Sequence, residues 1–346
     1  MPKATVQSIA DELGLSKFAV SRALSGKSGV SDKTRRLVEE AAARQGYRPR
    51  NAARSESHVV RLIFPNAAVA NRELWIDMRH GIEMQAMREG YEIDLVHTRD
   101  PARVAEMADT SLGLIIAGTA DRAVLEAAQA TGLPVVTCAH EVPPLIAIDQ
   151  VTATDEETGV YVGEYLEKLG HRDIVYVEGQ AGFPGRTRRL NGMRHAVSDD
   201  VRVSLMTFSE DYAGSEFLPE MERILATGAR PTAFFCGSDG VAVTCLSELL
   251  RLGLRVPEDV SVVGHADYPL ATQVSPNLTT IRMPNREVGM QAVQMIRFRQ
   301  APAAPPAHGL PMRIHLVASL VERDSSGPAG SPDWQALRAT AERPAE

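Results

Sequence analysis

Two hydrophobic rhythms divide this 346-residue chain. Over the first 50 residues, apolar positions recur at helical spacing. Val6, Ile9, Ala10 and Leu13 stand at i, i+3, i+4 and i+7 behind Thr5, a favourable N-cap. Gly14 permits a sharp turn, Leu15 can plug the angle between helices, and Ser16 caps a second helix whose inner side is Val20, Ala23 and Leu24. Phe18, Ser21 and Arg22 project away from that side. After a loop over Ser25–Gly29, Ser31 caps a third helix with Leu37, Val38 and Ala41 facing inward. Gly46 ends it, Tyr47 packs back, and Pro49 prevents continuation. Three short helices with a glycine turn between the first two predict a helix-turn-helix. Its second helix would enter a DNA major groove, N-terminal residues nearest the bases.

Beyond a polar stretch, Arg50–His58, the rhythm changes to strand and helix in alternation. Val- and Ile-rich segments predict strands at 59–64, 91–96, 113–118, 134–138, 145–149, 173–178, 201–208, 232–237 and 260–264. Amphipathic segments near 73–89, 121–131, 155–169, 187–197, 214–227, 239–252 and 285–299 predict helices, Thr154 and Glu157 forming a capping box for one of them. Alternation of this kind predicts a doubly wound α/β body, which binds ligands at the carboxyl ends of its strands.

Charge sharpens the division. Residues 1–55 hold eleven of the 37 Lys and Arg but five of the 44 Asp and Glu, so this segment carries +6 and the remainder −13. A basic head on an acidic body suggests a nucleic-acid module joined to a second domain. Cys138, Cys236 and Cys245 lie in apolar contexts without metal-ligand spacing, and the nine histidines are scattered; inert buried thiols and no metal or cofactor are expected. No apolar run reaches the ~18 residues of a membrane span, and MPKATVQSIADEL lacks signal-peptide architecture. A cytoplasmic protein with no membrane partner is the expectation.

The segment TVQSIADELGLSKFAVSRALSGKSGVSDKTRRLVEEAAARQGYRP resembles the DNA-binding headpiece of the LacI/GalR family of bacterial transcription regulators. YLEKLGHRDIVYVEG, RRLNGMRHAV, GLRVPEDVSVVG, PNLTTIRMP and IHLVASLVERDSS resemble that family's effector domain. The resemblance implies an all-α helix-turn-helix headpiece (1–49), a hinge (50–58) and a body (59–324). It implies that the body has two periplasmic-binding-protein-like α/β lobes with parallel sheets. The Pro/Gly/Ala-rich remainder, 325–346, reads as a disordered tail. It holds no leucine heptad. The resemblance also implies a homodimer on double-stranded operator DNA and a small-molecule effector between the lobes. Carried over position by position, it assigns DNA contact to Thr5, Ser16, Lys17, Phe18, Ser21, Arg22, Ser31 and Thr34.

Departures from the family pattern carry information too. Glu56 stands where the family's hinge helix carries a leucine that wedges into the minor groove. A carboxylate is repelled by phosphates and cannot unstack bases, so a weaker kink is expected. Arg50 and Arg54, one helical turn apart, are placed to touch the DNA backbone. In GHADYPL, Ala266 replaces an acid that contacts sugar hydroxyls in the family, while Asp267 matches the second acid. Ser238 replaces an asparagine ahead of the retained Asp239. Leu74–Trp75 occupies the position of an aromatic pair. Arg189 matches an effector-binding arginine and has Arg186 and Arg188 for neighbours, which leans the effector toward an anion. With Asp149, taken to end a strand at the cleft, the expected effector contacts are Trp75, Asp149, Arg189, Ser238, Asp239 and Asp267. Asp155 is assigned to a helix start.

These features predict a regulator, most simply a repressor, whose operator affinity follows a sugar or sugar-derived molecule. An enzyme is disfavoured: no GxGxxG follows a strand, and neither GxxxxGK[ST] nor GxSxG occurs. A solute-binding protein would explain the body but not the basic head.

Overall fold

The computed structural model describes residues 5–24, 30–45, 58–66, 73–138, 142–179, 182–208, 213–301 and 309–334. The predicted hinge with Arg50, Arg54 and Glu56, the Ser25–Gly29 loop, Gly46, Tyr47 and Pro49 lie outside the described residues.

The head is three helices, α1 (Val6–Leu13), α2 (Lys17–Leu24) and α3 (Asp32–Arg44). Thr5 caps α1 by accepting from the Ser8 backbone, Ser8 returning a bond to the Thr5 backbone. Gly14 takes the left-handed conformation (φ 62°) that lets the chain turn at once into α2. Ile9, Ala10, Val20, Ala23, Val38, Ala41 and Ala42 form the core, with Leu13, Leu15 and Leu24 packed against it. Leu37 departs from expectation: it is exposed, and Ala42 takes the inward place. On a 3.6-residue repeat, Val38, Ala41 and Ala42 complete one stripe, and Leu37 falls to its side.

The body holds two six-stranded sheets. The first runs in the order β11–β5–β4–β3–β1–β2 and is parallel throughout. Its strands are β1 (Val59–Phe64), β2 (Glu92–His97), β3 (Gly113–Ala117), β4 (Val135–Cys138), β5 (Asp149–Ala153) and β11 (Arg313–Leu316). Helices α4 (Glu73–Glu89), α5 (Pro101–Met107), α6 (Arg122–Ala130) and α11 (Asn285–Gln300) flank it. The second runs β12–β10–β9–β8–β6–β7, with β12 alone antiparallel to its neighbour. It comprises β6 (Asp173–Gly179), β7 (Arg202–Thr207), β8 (Ala233–Cys236), β9 (Ser261–Ala266), β10 (Thr279–Arg282) and β12 (Ser319–Val321). Its helices are α7 (Asp155–Lys168), α8 (Pro184–Ala196), α9 (Ala213–Ala226) and α10 (Asp239–Arg251).

The chain passes between lobes three times: from β5 to α7, from β10 to α11 and from β11 to β12. The first two passages leave the carboxyl ends of β5 and β10, so both sheets turn their carboxyl edges toward the junction. Glycines bring the bordering helices together. A Cβ on Gly159 of α7 would run into the Arg189 carbonyl of α8, and one on Gly289 of α11 into the Met78 carbonyl of α4.

Three expectations are corrected. The predicted strand at 145–149 is displaced: Leu145 is exposed with φ 64°, and the strand runs Asp149–Ala153. Thr154 does not complete a capping box; its hydroxyl bonds the Glu157 carboxylate and makes no cap bond to the backbone. The predicted disordered tail is ordered as far as Trp334. Ser325 is buried, Ala329 donates to the Leu169 carbonyl, and Trp334 sits in the second lobe's core with its indole N–H on the Pro231 carbonyl at 3.0 Å. The remaining residues of that segment, 335–346, lie outside the described residues.

Candidate functional site

On the head, Ser16 accepts from the Ala19 backbone at 3.1 Å and starts α2. Burial of Val20 and Ala23 turns Lys17, Phe18 and Ser21 outward. Phe18 is 70% exposed and does not fold back onto the core. Arg22, one turn on, lies over its ring at 5.3 Å from the centroid. Ser31 caps α3 by accepting from the Thr34 backbone, and the two hydroxyls are 2.8 Å apart. Each cap hydroxyl (Thr5, Ser16, Ser31) accepts a bond from its helix through oxygen, and the bonded hydroxyls of Ser31 and Thr34 keep one proton between them to donate outward.

At the lobe junction, Trp75 on α4 is nearly buried, edge-on to Phe64 at 6.0 Å. It lines a small hollow with Cys138, Ala153, Met283, Asn285 and Val288, where two of the three passages begin. Across the junction, α8 and the carboxyl ends of β8 and β9 assemble a buried polar cluster. The Arg189 guanidinium donates through Nη1 to Asp155 at 3.1 Å and through Nη2 to the Gly237 carbonyl at 3.1 Å. Nη1 also lies 2.8 and 2.7 Å from the two ring nitrogens of His265. Arg189 Nε is buried with no hydrogen-bond partner. Below, the Tyr176 hydroxyl donates to the Arg186 carbonyl, and burial pushes the Tyr176 phenol up.

Ser238 caps α10 by accepting from the Val241 backbone. Asp239, next in the chain, is fully buried. It accepts from Thr280 Oγ1 at 2.5 Å and from the Tyr268 backbone at 2.7 Å, and Gly264 leaves no room for a Cβ beside it. Burial pushes its carboxyl up to about 6 despite those bonds. The loop it holds is strained, with Ala266 at φ 117° and Asp267 at φ 57°. Asp267 is gripped by Arg323 (2.6 Å) and Arg282 (2.7 Å). Burial works to raise its carboxyl, but the two guanidinium groups outweigh that and hold it below the usual carboxylate range.

The structure therefore brings Arg189, Ser238, Asp239 and Asp267 to one edge of the second lobe and Trp75 to the junction, and it separates Asp149 from them. Asp149 opens β5 and so lies at the amino edge of the first sheet, away from the junction. Its carboxylate is taken up by Arg299 (2.8 and 2.7 Å) and the Met312 backbone. Asp155, His265 and Tyr176 were not among the expected contacts. A readable signal for Asp155 existed: a strand ending at Ala153 puts it at a carboxyl edge, whereas a strand placed at 145–149 gives that position to Asp149.

A helix-turn-helix head joined to two α/β lobes, between which the chain passes three times, is the architecture of a DNA-binding regulator with a periplasmic-binding-protein-like body. The chain belongs to the lacI family of bacterial regulatory proteins. Residues 5–50 match the family described as bacterial regulatory proteins, lacI family, and residues 164–326 match the periplasmic binding protein-like domain. The chain is 31% identical over 311 residues to the HTH-type transcriptional repressor CytR of Escherichia coli (strain K12), spanning 85% of this chain and 89% of that one. It is 28% identical over 307 residues to the repressor PurR of Aliivibrio salmonicida (strain LFI1238), spanning 86% and 92%. In fold it is similar to the lac repressor dimer bound to operator and the anti-inducer ONPF. That likeness has a TM-score of 0.64 and 23% identity, and spans 94% of this chain and 99% of that one. No helix among the described residues is long and apolar enough to cross a membrane.

Proposed function

We propose that the protein is a transcriptional repressor that holds an operator duplex as a homodimer, with its affinity set by a small polar molecule, a sugar or sugar-derived compound, between the lobes. The carrying observation is the union in one chain of the outward Lys17–Arg22 face and a hinged body with the buried Arg189 cluster at its junction. Lys17, Phe18, Ser21 and Arg22 are the base-reading candidates, and the cap hydroxyls of Thr5, Ser16 and Ser31, with Thr34, suit phosphates. Arg50 and Arg54 are proposed backbone contacts. In the cleft, Arg189 and Trp75 are the proposed ligand contacts, with Ser238 beside them. Asp239 and Asp267, both already bonded, shape the loop on the same edge of the second lobe. The likeness to a dimeric operator-bound repressor supports the dimer and the DNA partner. A hinged cleft passes a signal only when the molecule binds its two geometries unequally.

The test is a gel shift of the full chain on DNA from upstream of its own coding region, against unrelated competitor DNA, with and without candidate sugars. Competitor-resistant retention that one ligand alters supports the reading. Failure to retain that DNA under every condition sinks it.

A further inference from the structure

The charge of Arg189 is matched inside the protein at close range. Its guanidinium and the Asp155 carboxylate are 3.1 Å apart, with 7% and 2% of their side chains exposed. Away from water such a pair is self-compensating. An incoming carboxylate or phosphate would have to displace Asp155 or share one cation with it, and two like charges at one buried site repel. His265 points the same way. Nη1 lies against both ring nitrogens, and an imidazole can accept from it through one of them, a contact that adds no negative charge. The neighbouring acids are committed: Asp239 to Thr280 and the Tyr268 backbone, Asp267 to Arg282 and Arg323. Arg186 and Arg188 have interactions of their own, Arg186 lying over the Phe183 ring at 4.7 Å. What the guanidinium lacks is a well-formed bond at Nε, which is buried; the Tyr176 hydroxyl is close to the guanidinium but is turned to the Arg186 carbonyl. An unpaired buried donor is costly, and a hydroxyl, carbonyl or ring nitrogen relieves it without adding charge.

We propose that Asp155 makes this pocket selective for uncharged effectors. It keeps Arg189 electrically matched, so the arginine recognises its ligand as a hydrogen-bond donor through Nε rather than as a counter-charge. This rests on reading the junction as an effector site, and it reverses the lean toward an anion that three arginines in RTRRLNG suggest from sequence. Asp155 acts through Arg189 and is a positioning and selecting residue.

Thermal unfolding of the full chain in sodium phosphate and in sodium chloride of matched ionic strength tests the proposal, with inorganic phosphate as the anionic probe. Phosphate strengthens burial in any protein, so each midpoint is read against that of Arg189→Gln in the same salt. The difference between wild type and Arg189→Gln is expected to be equal in the two salts. Asp155→Asn keeps the side-chain shape and strips the charge, leaving Arg189 unmatched. It is expected to gain a saturable stabilisation by phosphate, at concentrations at least about tenfold below any wild-type response, which adding Arg189→Gln abolishes. A wild-type stabilisation by phosphate that Arg189→Gln removes overturns the proposal, and so does a folded Asp155→Asn that ignores phosphate. Circular dichroism establishes that the variant is folded; if it is not, the wild-type comparison decides alone in the same two directions. Failure of the repressor reading shows separately, as loss of specific retention in the gel shift, and leaves the phosphate comparison intact.

Discussion

The guanidinium carbon of Arg22 lies 5.3 Å from the centroid of the Phe18 ring, one turn away on α2, and the ring is 70% exposed. An exposed aromatic without donors thus packs against an arginine on the head's outer face, and under the proposed DNA-binding role it would hold that arginine for guanine or phosphate. Phe18→Tyr is expected to leave operator affinity and base preference unchanged. Phe18→Leu is expected to lower affinity by about 0.5–1 kcal/mol. It should also relax preference at the same base pair that Arg22→Ala relaxes. Binding-site selection with the three variants reads this. A change confined to a different base pair would mean that Phe18 reads a base itself, through a thymine methyl.

Trp334 closes the second lobe. It is edge-on to Phe234 at 6.4 Å, with its indole N–H on the Pro231 carbonyl. Trp334→Ala is expected to cost about 3 kcal/mol or more, the range for emptying a buried aromatic site. Urea unfolding monitored at the second lobe measures it. A tail lying free of the core would give no change on the same substitution.

The contrast between Trp334 and the helices marks what could be read from sequence. Helical stripes such as Val6–Leu13 and alternating strand-helix runs were legible because periodicity is local. The segment ending at Trp334 was not. Gly, Pro and Ala dominate it, and its order comes from partners 66 to 160 residues away in sequence, such as Ser261, Pro231 and Leu169. Strands β10 to β12 are only three or four residues long, and β11 and β12 meet their partners β5 and β10 only after the chain has passed between lobes, so local periodicity did not single them out. In the cleft, Arg189 was found by its place in a motif. Its partners Asp155 and His265 lie 34 and 76 residues away, a proximity that only the fold creates.

Asp149 and Arg299 form a buried bidentate pair at the far edge of the first sheet. Asp149→Ala leaves the guanidinium buried without its counter-charge, which is expected to destabilise the chain by about 3–5 kcal/mol. Replacing both, Asp149→Leu with Arg299→Met, is expected to recover most of that loss. Chemical unfolding of the two variants provides the comparison. A single variant of wild-type stability with altered ligand response would return Asp149 to the cleft.

Asp239 ties α10 to β10 and to the strained Ala266–Asp267 loop, and its carboxyl sits at about 6 because it is buried. The sign follows from linkage. An acid with a folded-state value raised above its unfolded value binds more protons folded than unfolded. Its contribution to stability is therefore present below the unfolded value and lost as pH rises through about 6. Between pH 5 and 7.5 the loss amounts to about 1 kcal/mol. Asp239→Asn does not titrate, so its stability relative to wild type is expected to rise by that amount over the same interval, whatever the fixed cost of the amide. Urea unfolding of both proteins across this range measures the difference. A constant difference would mean that the carboxyl titrates in the folded protein near its ordinary value, and that Thr280 and the Tyr268 backbone compensate its burial fully.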